Sequence, residues 1–243
     1  MRSLLTVCAR GGSKGIPGKN IKPLNNKPLI YYTLKTAVAY ASLRDDVDIY
    51  LSTDSDEIRS EVDKFSFDSV KTDYDRPKEL ATDSSGKLGV IKDVLEFAEN
   101  KTGKKYDYII DLDVTSPLRT VDDLQLAFRK LKDSDAINIF SVNPASRNPY
   151  FNMVEHRENS IYVKLVKDGE FLTRQSSPEV YDMNASFYIW KREFFEIDQK
   201  NNITDKTIIY SMPHLCFDLD HPLDFEFMSF LIETNKLDFT LLK

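Results

Sequence analysis

The stretch Cys8-Ala9-Arg10-Gly11-Gly12-Ser13-Lys14-Gly15-Ile16-Pro17-Gly18-Lys19-Asn20 holds four of the eight glycines in the chain. An apolar run, Leu4 to Ala9, leads into it and reads as a first strand. An apolar-periodic run, Pro28 to Ala41, follows and reads as a first helix. Glycine lets a backbone approach a ligand closely and turn its N–H groups inward. Arg10, Lys14 and Lys19 add positive charge. A strand, a glycine-rich basic loop and a helix, in that order, make a phosphate-binding arrangement. Two common phosphate loops are excluded. Aligning Gly18-Lys19 with a Walker A motif puts Ser13 where its first glycine belongs and Asn20 where its metal-binding hydroxyl belongs. A dinucleotide fingerprint, G-x-G-x-x-G, is also absent.

Outward from the loop, strand-like runs near residues 3–9, 47–53, 69–72, 106–113 and 136–142 alternate with helix-like runs near 28–42, 55–64, 86–99 and 121–132. Ser55 suits the N-cap of the second helix, and Asp122 and Asp123 suit the positive end of the fourth. This alternation predicts an α/β fold, a mostly parallel sheet with helices on both faces. The pattern changes after Val142. Residues 143–150 are rich in Pro and Asn, and two short alternating segments, Ile161 to Val166 and Glu170 to Arg174, flank an expected turn at Lys167-Asp168-Gly169. Ser186 to Lys191 and Thr207 to Met212 read as strands, Phe194 to Gln199 as a short helix, and Pro222 to Thr234 as a closing helix with Pro in its first turn. The expectation is one domain, with residues 143–185 as a small β-rich excursion from the main sheet.

The chain has 243 residues and a net charge of −6, with no basic stripe, so nucleic acid is not an expected partner. The local basicity of the Arg10 loop fits a small anionic substrate instead. Cys8 and Cys216 fall in expected strands, which points to buried apolar roles and a reducing, cytoplasmic compartment. Met1-Arg2 runs straight into a strand, so no signal peptide is expected. No apolar run approaches the ~18 residues of a membrane span, so no membrane association is expected. His156, His214 and His221 lack metal-ligand spacing, which argues against zinc. Tyr31, Tyr32, Phe225, Phe227 and Phe230 recur on helix faces and read as core.

Two acidic pairs stand out. Asp218 and Asp220 alternate along an expected extended segment, which turns both carboxylates the same way. Hard oxygen ligands so placed suit Mg²⁺, which takes one or two carboxylates and completes its shell from substrate phosphates. Asp111 and Asp113 alternate in the same manner at the end of a central strand. A carboxylate there meets a cationic or hydrogen-bond-donating substituent, or joins the metal shell.

Residues 9–20 resemble the first motif of the acylneuraminate cytidylyltransferases, A-R-G-G-S-K-x-[I/L]-P-x-K-N, at every fixed position. Leu51 to Ile58, Arg76-Pro77-Lys78-Glu79-Leu80-Ala81-Thr82-Asp83, Thr115-Ser116-Pro117-Leu118-Arg119 and Phe217 to Phe225 resemble later motifs of that family, in family order over nearly the whole chain. The resemblance implies a Rossmann-like nucleotidyltransferase fold with a small β-rich dimerisation arm at residues 143–185. It implies transfer of CMP from CTP to the anomeric hydroxyl of a nonulosonic acid, with release of pyrophosphate, by a homodimer with shared active sites. By the same resemblance, Arg10, Gly11, Gly12, Ser13, Lys19, Asn20, Arg76, Ser84 and Ser85 bind the nucleotide, with Lys19 nearest the α-phosphate, and Mg²⁺ is held by Asp218 and Asp220. Arg10, Lys19, Asp218 and Asp220 carry catalysis, and no general base is evident. Asp113, Phe151, Arg174, Gln175, Tyr181, Asp182 and Asn184 match the sugar site.

Departures from the sialic acid pattern cluster in that sugar site. Asp113 stands where most sialic acid enzymes have Gln, and Asp182 stands where the family has a second arginine. Asn148-Pro149-Tyr150-Phe151 replaces a segment that often carries a basic residue. The text of residues 147–152 and 173–186 is most similar to the branch that activates legionaminic acid. Synthetases for sialic, pseudaminic or Kdo acids remain open at this point, as does an inactive nucleotide-binding regulator, although the intact Arg10, Lys19, Asp218 and Asp220 argue against the last.

Overall fold

Leu4, Leu5 and Val7 of the first strand, β1 (Ser3–Cys8), are fully buried, as an apolar run with neighbours on both sides must be. In this computed structural model the described residues are 1–12, 15–82, 85–197, 199–239 and 241. The expectations for Ser13, Lys14 and Ser84 lie outside them.

A small hairpin of β2 (Pro23–Leu24) and β3 (Lys27–Pro28) follows the glycine loop and leads into α1 (Leu29–Ala41). Then come β4 (Val47–Ser52), α2 (Asp56–Asp63), β5 (Val70–Lys71), α3 (Lys87–Thr102), β6 (Tyr108–Asp113), α4 (Val121–Lys132) and β7 (Asn138–Pro144). The short strands β8 (Val154–His156) and β9 (Val163–Leu165) precede β10 (Tyr181–Lys191), β11 (Thr207–Ser211) and α5 (Pro222–Glu233). The main sheet runs β11-β7-β10-β6-β1-β4-β5. β1 pairs in parallel with both β4 and β6, β4 pairs in parallel with β5, and β10 runs antiparallel to β6.

Capping fixes the helix starts. Ser55 Oγ accepts from Ile58 N at 3.3 Å at the head of α2. Thr120 and Asp123 close a reciprocal capping box on α4. Pro222 occupies the first turn of α5. α1 buries Leu29, Ile30, Tyr32, Leu34, Ala37 and Tyr40 against the sheet core.

The register sets Cys8 at the end of β1 beside Ser52 of β4 and Asp113 of β6. Three parallel strands therefore finish level, and the loops that leave them share one edge of the sheet. That edge is where open α/β sheets bind ligands.

The chain divides into two compact units, Met1–Ser141 with Asn184–Lys243, and Val142–Met183. In the second, β8 pairs antiparallel with β9, Val154 opposite Leu165. The turn between them lies at Arg157 to Tyr162, where Asn159 takes a φ of 52°. The expected turn at Lys167-Asp168-Gly169 does not form, and Glu170 to Arg174 is not a strand. Asn tolerates left-handed backbone, so the earlier turn wins the pairing. After β9, Val166 and Lys167 donate to the carbonyls of Met153 and Pro149. Ile161, Tyr162 and Leu172 of this unit are 86, 71 and 89 % exposed.

Three smaller expectations are corrected. Cys216 lies outside any strand, though it is buried. The helix expected at Phe194 to Gln199 is a single 3-10 turn, Arg192–Phe195. Of the aromatics read as core, Tyr32 and Phe225 are buried and Tyr31 is half-buried against Phe65 and Phe67. Phe227 and Phe230 are instead exposed on α5, whose apolar residues outnumber the positions its one buried face offers.

Candidate active site

The glycine loop leaves β1 and is tied down at three points. Gly11 N donates to Asp54 Oδ1 at 2.9 Å. The Asn20 side chain, nearly buried, donates to the Arg10 carbonyl at 2.9 Å and closes the loop on itself. Gly15 lies so near the last acidic segment that a Cβ there would sit 2.7 Å from the Asp220 carbonyl oxygen. Gly18 takes a φ of 63°, a left-handed conformation that favours glycine, and starts the 3-10 turn carrying Lys19 and Asn20. Lys19 Nζ lies 3.1 Å from Asp220 Oδ1.

Arg76 enters from the other side. Its guanidinium donates to Ser52 Oγ at 3.0 Å and to the Ser52 carbonyl at 2.7 Å, which fixes it over the end of β4. Arg10, Lys19, Asn20, Arg76, Ser85, Asp113 and Asp220 line one cavity of about 450 Å³, together with Cys8, Gly15, Leu80, Thr82, Lys87, Val90 and Thr115. Ser85 Oγ donates to the Glu79 carbonyl at 2.7 Å. Gly11, Gly12 and Asp218 are not among the lining residues.

An acidic corner forms where β6 ends. Asp111 is fully buried and accepts from Thr6 Oγ1 at 2.7 Å. Asp113 Oδ1 accepts from Thr115 N at 2.8 Å and Thr115 Oγ1 at 2.9 Å. The Lys87 ammonium lies 2.7 Å from Oδ2 of both aspartates. Burial opposes charge on Asp113 and on Lys87, but the pairing wins: Asp113 is held down at about 2, and Lys87 stays charged well above its ordinary range. The Cys8 thiol is pushed up to about 12, by burial first and then by Asp111, which keeps it protonated. Arg119 is buried and braces this corner from behind, donating to Ser186 Oγ at 2.9 Å, to Thr33 Oγ1 at 3.3 Å and to the carbonyls of Asp113 and Ser116. Burial brings its guanidinium down to about 10.

Asp218 and Asp220 differ in setting. Asp220 is exposed and paired with Lys19. Asp218 is half-buried, its Oδ1 is buried without a hydrogen-bond partner, and burial with the nearby charges of Asp113 and Asp220 lifts its carboxyl to about 6. An orphaned carboxylate oxygen among like charges is a setting that a hard divalent cation relieves. Among the described residues no three acidic, His or Cys groups gather to hold a metal by themselves. The orphaned Asp218 oxygen fits Mg²⁺, which takes few protein ligands and relies on phosphates and water.

Of the residues matched to a sugar site, Asp113 lines the cavity. Asn184 Oδ1 is engaged within the sheet by Ser141 Oγ at 2.6 Å and Ser186 N at 3.2 Å. Phe151, Arg174, Gln175, Tyr181 and Asp182 belong to the second unit. There Arg174 donates to the Ser146 carbonyl at 2.7 Å, and Tyr181 donates to Glu179 Oε2 at 2.8 Å.

The sequence reading missed Lys87. One signal was present: a lysine as the first residue of a helix opposes the helix dipole, so it needs a specific anionic partner.

A strand-ending pocket lined by both cations and carboxylates suits a polyphosphate with its metal. Residues 5–233 match the cytidylyltransferase family. The chain belongs to it. This cytidylyltransferase is 38 % identical over 235 residues to the CMP-N,N'-diacetyllegionaminic acid synthase of Campylobacter jejuni, covering 96 % of both chains. It is 37 % identical over 236 residues to the post-translational flagellin modification protein B of Campylobacter coli, again covering 96 % of both. A solved structure of CMP:2-keto-3-deoxy-manno-octonic acid synthetase complexed with CTP superposes with a TM-score of 0.65 at 14 % identity, over 97 % of this chain and all of that one, and shows the shared fold. The cytidylyltransferase is thus a CTP-dependent nucleotidyltransferase with the Rossmann-like, mostly parallel sheet expected from its sequence. No helix among the described residues is long and apolar enough to cross a membrane.

Proposed function

We propose that this cytidylyltransferase transfers CMP from CTP to the anomeric hydroxyl of N,N'-diacetyllegionaminic acid. The observation that carries the reading is the cavity that joins Arg10, Lys19 and Arg76 to Asp113 and Asp220 at the ends of parallel strands. The choice of sugar is supported by the likeness to the Campylobacter jejuni synthase along almost the whole chain. It is also supported by Asp113, which stands ionised where a sialic acid site has an amide.

The chemistry is an in-line displacement. The anomeric oxygen bonds to the α-phosphorus of CTP, the α–β phosphoanhydride bond breaks, pyrophosphate leaves with the electron pair, and the hydroxyl proton passes to solvent. Such transfer rests on positioning and charge neutralisation. Arg10 and Lys19 hold the triphosphate, and Arg76, Asn20 and Ser85 fix the nucleoside. Asp218 and Asp220 would hold Mg²⁺, which when bound offsets phosphate charge and orients the leaving group.

The active species is a homodimer whose sites are shared. Phe151, Arg174, Gln175, Tyr181 and Asp182 of one chain complete the sugar site of its partner. Support comes from the heavily exposed Ile161, Tyr162 and Leu172 in the same unit, apolar surface that a partner would cover.

A pyrophosphate-release assay with CTP and a panel of nonulosonic acids tests the reading. The expected result is a kcat/KM for diacetyllegionaminic acid at least ~10-fold above that for N-acetylneuraminic acid, because a site built for one set of polar partners rejects another. Equal or reversed preference refutes the sugar assignment. Silence with every acid refutes the activity.

A further inference from the structure

We propose that Lys87 and Asp113 form a paired donor and acceptor that reads a ligand hydroxyl in the reaction cavity, with Lys87 as the residue that positions the pair. The proposal rests on the cytidylyl transfer above and adds Lys87, which the motifs do not contain, to the Asp113 they do.

Asp111 and Asp113 lie two residues apart on one face of β6, one fully buried and the other at the cavity wall. Left alone they would repel, and a buried unpaired charge is costly. Lys87 reaches them from the start of α3 and sits 2.7 Å from an oxygen of each. A single ammonium therefore serves both as counter-ion, and it donates a hydrogen bond to Asp113 Oδ2. Its side chain is 31 % exposed and lines the cavity, so a further donor is available to a ligand.

Asp113 is fixed in a complementary way. Thr115 N and Oγ1 fill the two acceptor positions of Oδ1. Lys87 fills one of those on Oδ2, which leaves one acceptor position beside the spare ammonium donor. A hydroxyl is the group that meets both, since it donates to the carboxylate and accepts from the ammonium. Two hydroxyl-bearing molecules enter this cavity in the proposed reaction: the nucleotide, through its ribose, and the sugar acid.

The pair is also built to stay in register. A lysine at a helix start has no local reason to hold still, yet here it is anchored at two points. Arginine would keep the charge, but its planar fork cannot share one nitrogen between two carboxylates in the same manner.

Three proteins test this: the wild type, Lys87→Arg, and a double variant with Lys87→Met and Asp111→Asn. The second change in the double variant removes the buried charge that would otherwise be left uncompensated, so the fold is retained, and thermal melting checks it. Each is titrated by calorimetry with CTP and with 2′-deoxy-CTP and 3′-deoxy-CTP, and the KM for the sugar acid is measured separately from kcat.

If the hydroxyl is the ribose's, the wild type prefers CTP to one deoxy analogue by at least ~10-fold and both variants lose that preference. If it is the sugar acid's, nucleotide preferences stay put while the KM for the acid rises by ~10-fold or more in both variants at similar kcat. A purely structural role for Lys87 would lower melting temperature without either shift. Unchanged nucleotide preference together with unchanged sugar KM, in folded variants, overturns the proposal. The calorimetric arm stands even if no acid is turned over, so failure of the activity and failure of this pair are told apart.

Discussion

Lys19 Nζ lies 3.1 Å from Asp220 Oδ1, across 201 residues of sequence. The cation proposed for phosphate and a carboxylate proposed for metal therefore pair with one another. The substrates have to exchange both partners. Only one side of the pair is open to solvent: the Asp220 side chain is 65 % exposed and that of Lys19 13 %.

Lys19→Ala is expected to lower kcat by roughly 10²–10³-fold, the usual effect of removing a preorganised donor at developing charge. Thermal melting should move little, because Asp220 is 65 % exposed and stays solvated when its partner is removed. Turnover near the wild-type value in a pyrophosphate-release assay would take the loop out of the mechanism.

Asp218→Asn keeps the size of the side chain and removes the charge a hard cation needs. Activity should fall, and the Mg²⁺ concentration giving half-maximal rate should rise by about an order of magnitude. A Mg²⁺ titration that overlays the wild-type curve in this variant and in Asp220→Asn would move the metal to Asp111 and Asp113.

A pH effect on stability follows from His214 and Asp123, whose side chains lie 2.9 Å apart and nearly buried. Burial opposes the imidazolium, yet the hydrogen bond to Asp123 prevails and His214 titrates above its ordinary 6.5. A base held more strongly in the fold stabilises it below that ordinary value, and the gain is lost as pH climbs through the folded one. Asp123 shifts the other way: burial favours its neutral form, but bonds from His214 and Thr120 hold it below 3.8, so its share is lost only in acid. Urea midpoints should therefore decline as pH rises above the ordinary imidazole value of 6.5, with His214→Gln showing a smaller decline. Identical slopes for the two proteins would remove the pair as a source of stability.

If the sites are shared, mixing Lys19→Ala with Arg174→Ala should restore part of the activity each lacks. A hybrid dimer holds one site with both residues intact, and random exchange makes about half the dimers hybrid. Proven subunit exchange without recovered activity would mean that each site is built from one chain.

The parallel half of the sheet was legible because its signals are local and repeated. The runs that became β1, β4 and β6 are rich in apolar residues, and α4 begins and ends at the expected Val121 and Lys132, with Thr120 and Asp123 capping its start. The second unit was harder. Its strands are three residues long, so alternation carries little weight, and Gly169 drew the turn away from Asn159. In the site, motif spacing located Arg10, Lys19, Arg76 and Asp220 around one cavity, but the Lys87 contacts depend on a register between α3 and β6 that no local pattern encodes.

Gly15 has room for no side chain, because the carbonyl of Asp220 occupies the place where one would begin. The two ends of the chain thus have to be inherited together. A chimera that takes its N-terminal half from one family member and its C-terminal segment from another would bring together surfaces that had not co-adapted, and recombination breakpoints between Gly15 and Asp220 should be tolerated only where both parents present the same backbone there. A bulkier residue at Gly15 would have to be matched by a change some two hundred positions downstream, so substitutions at these two places should be accepted in concert rather than one at a time.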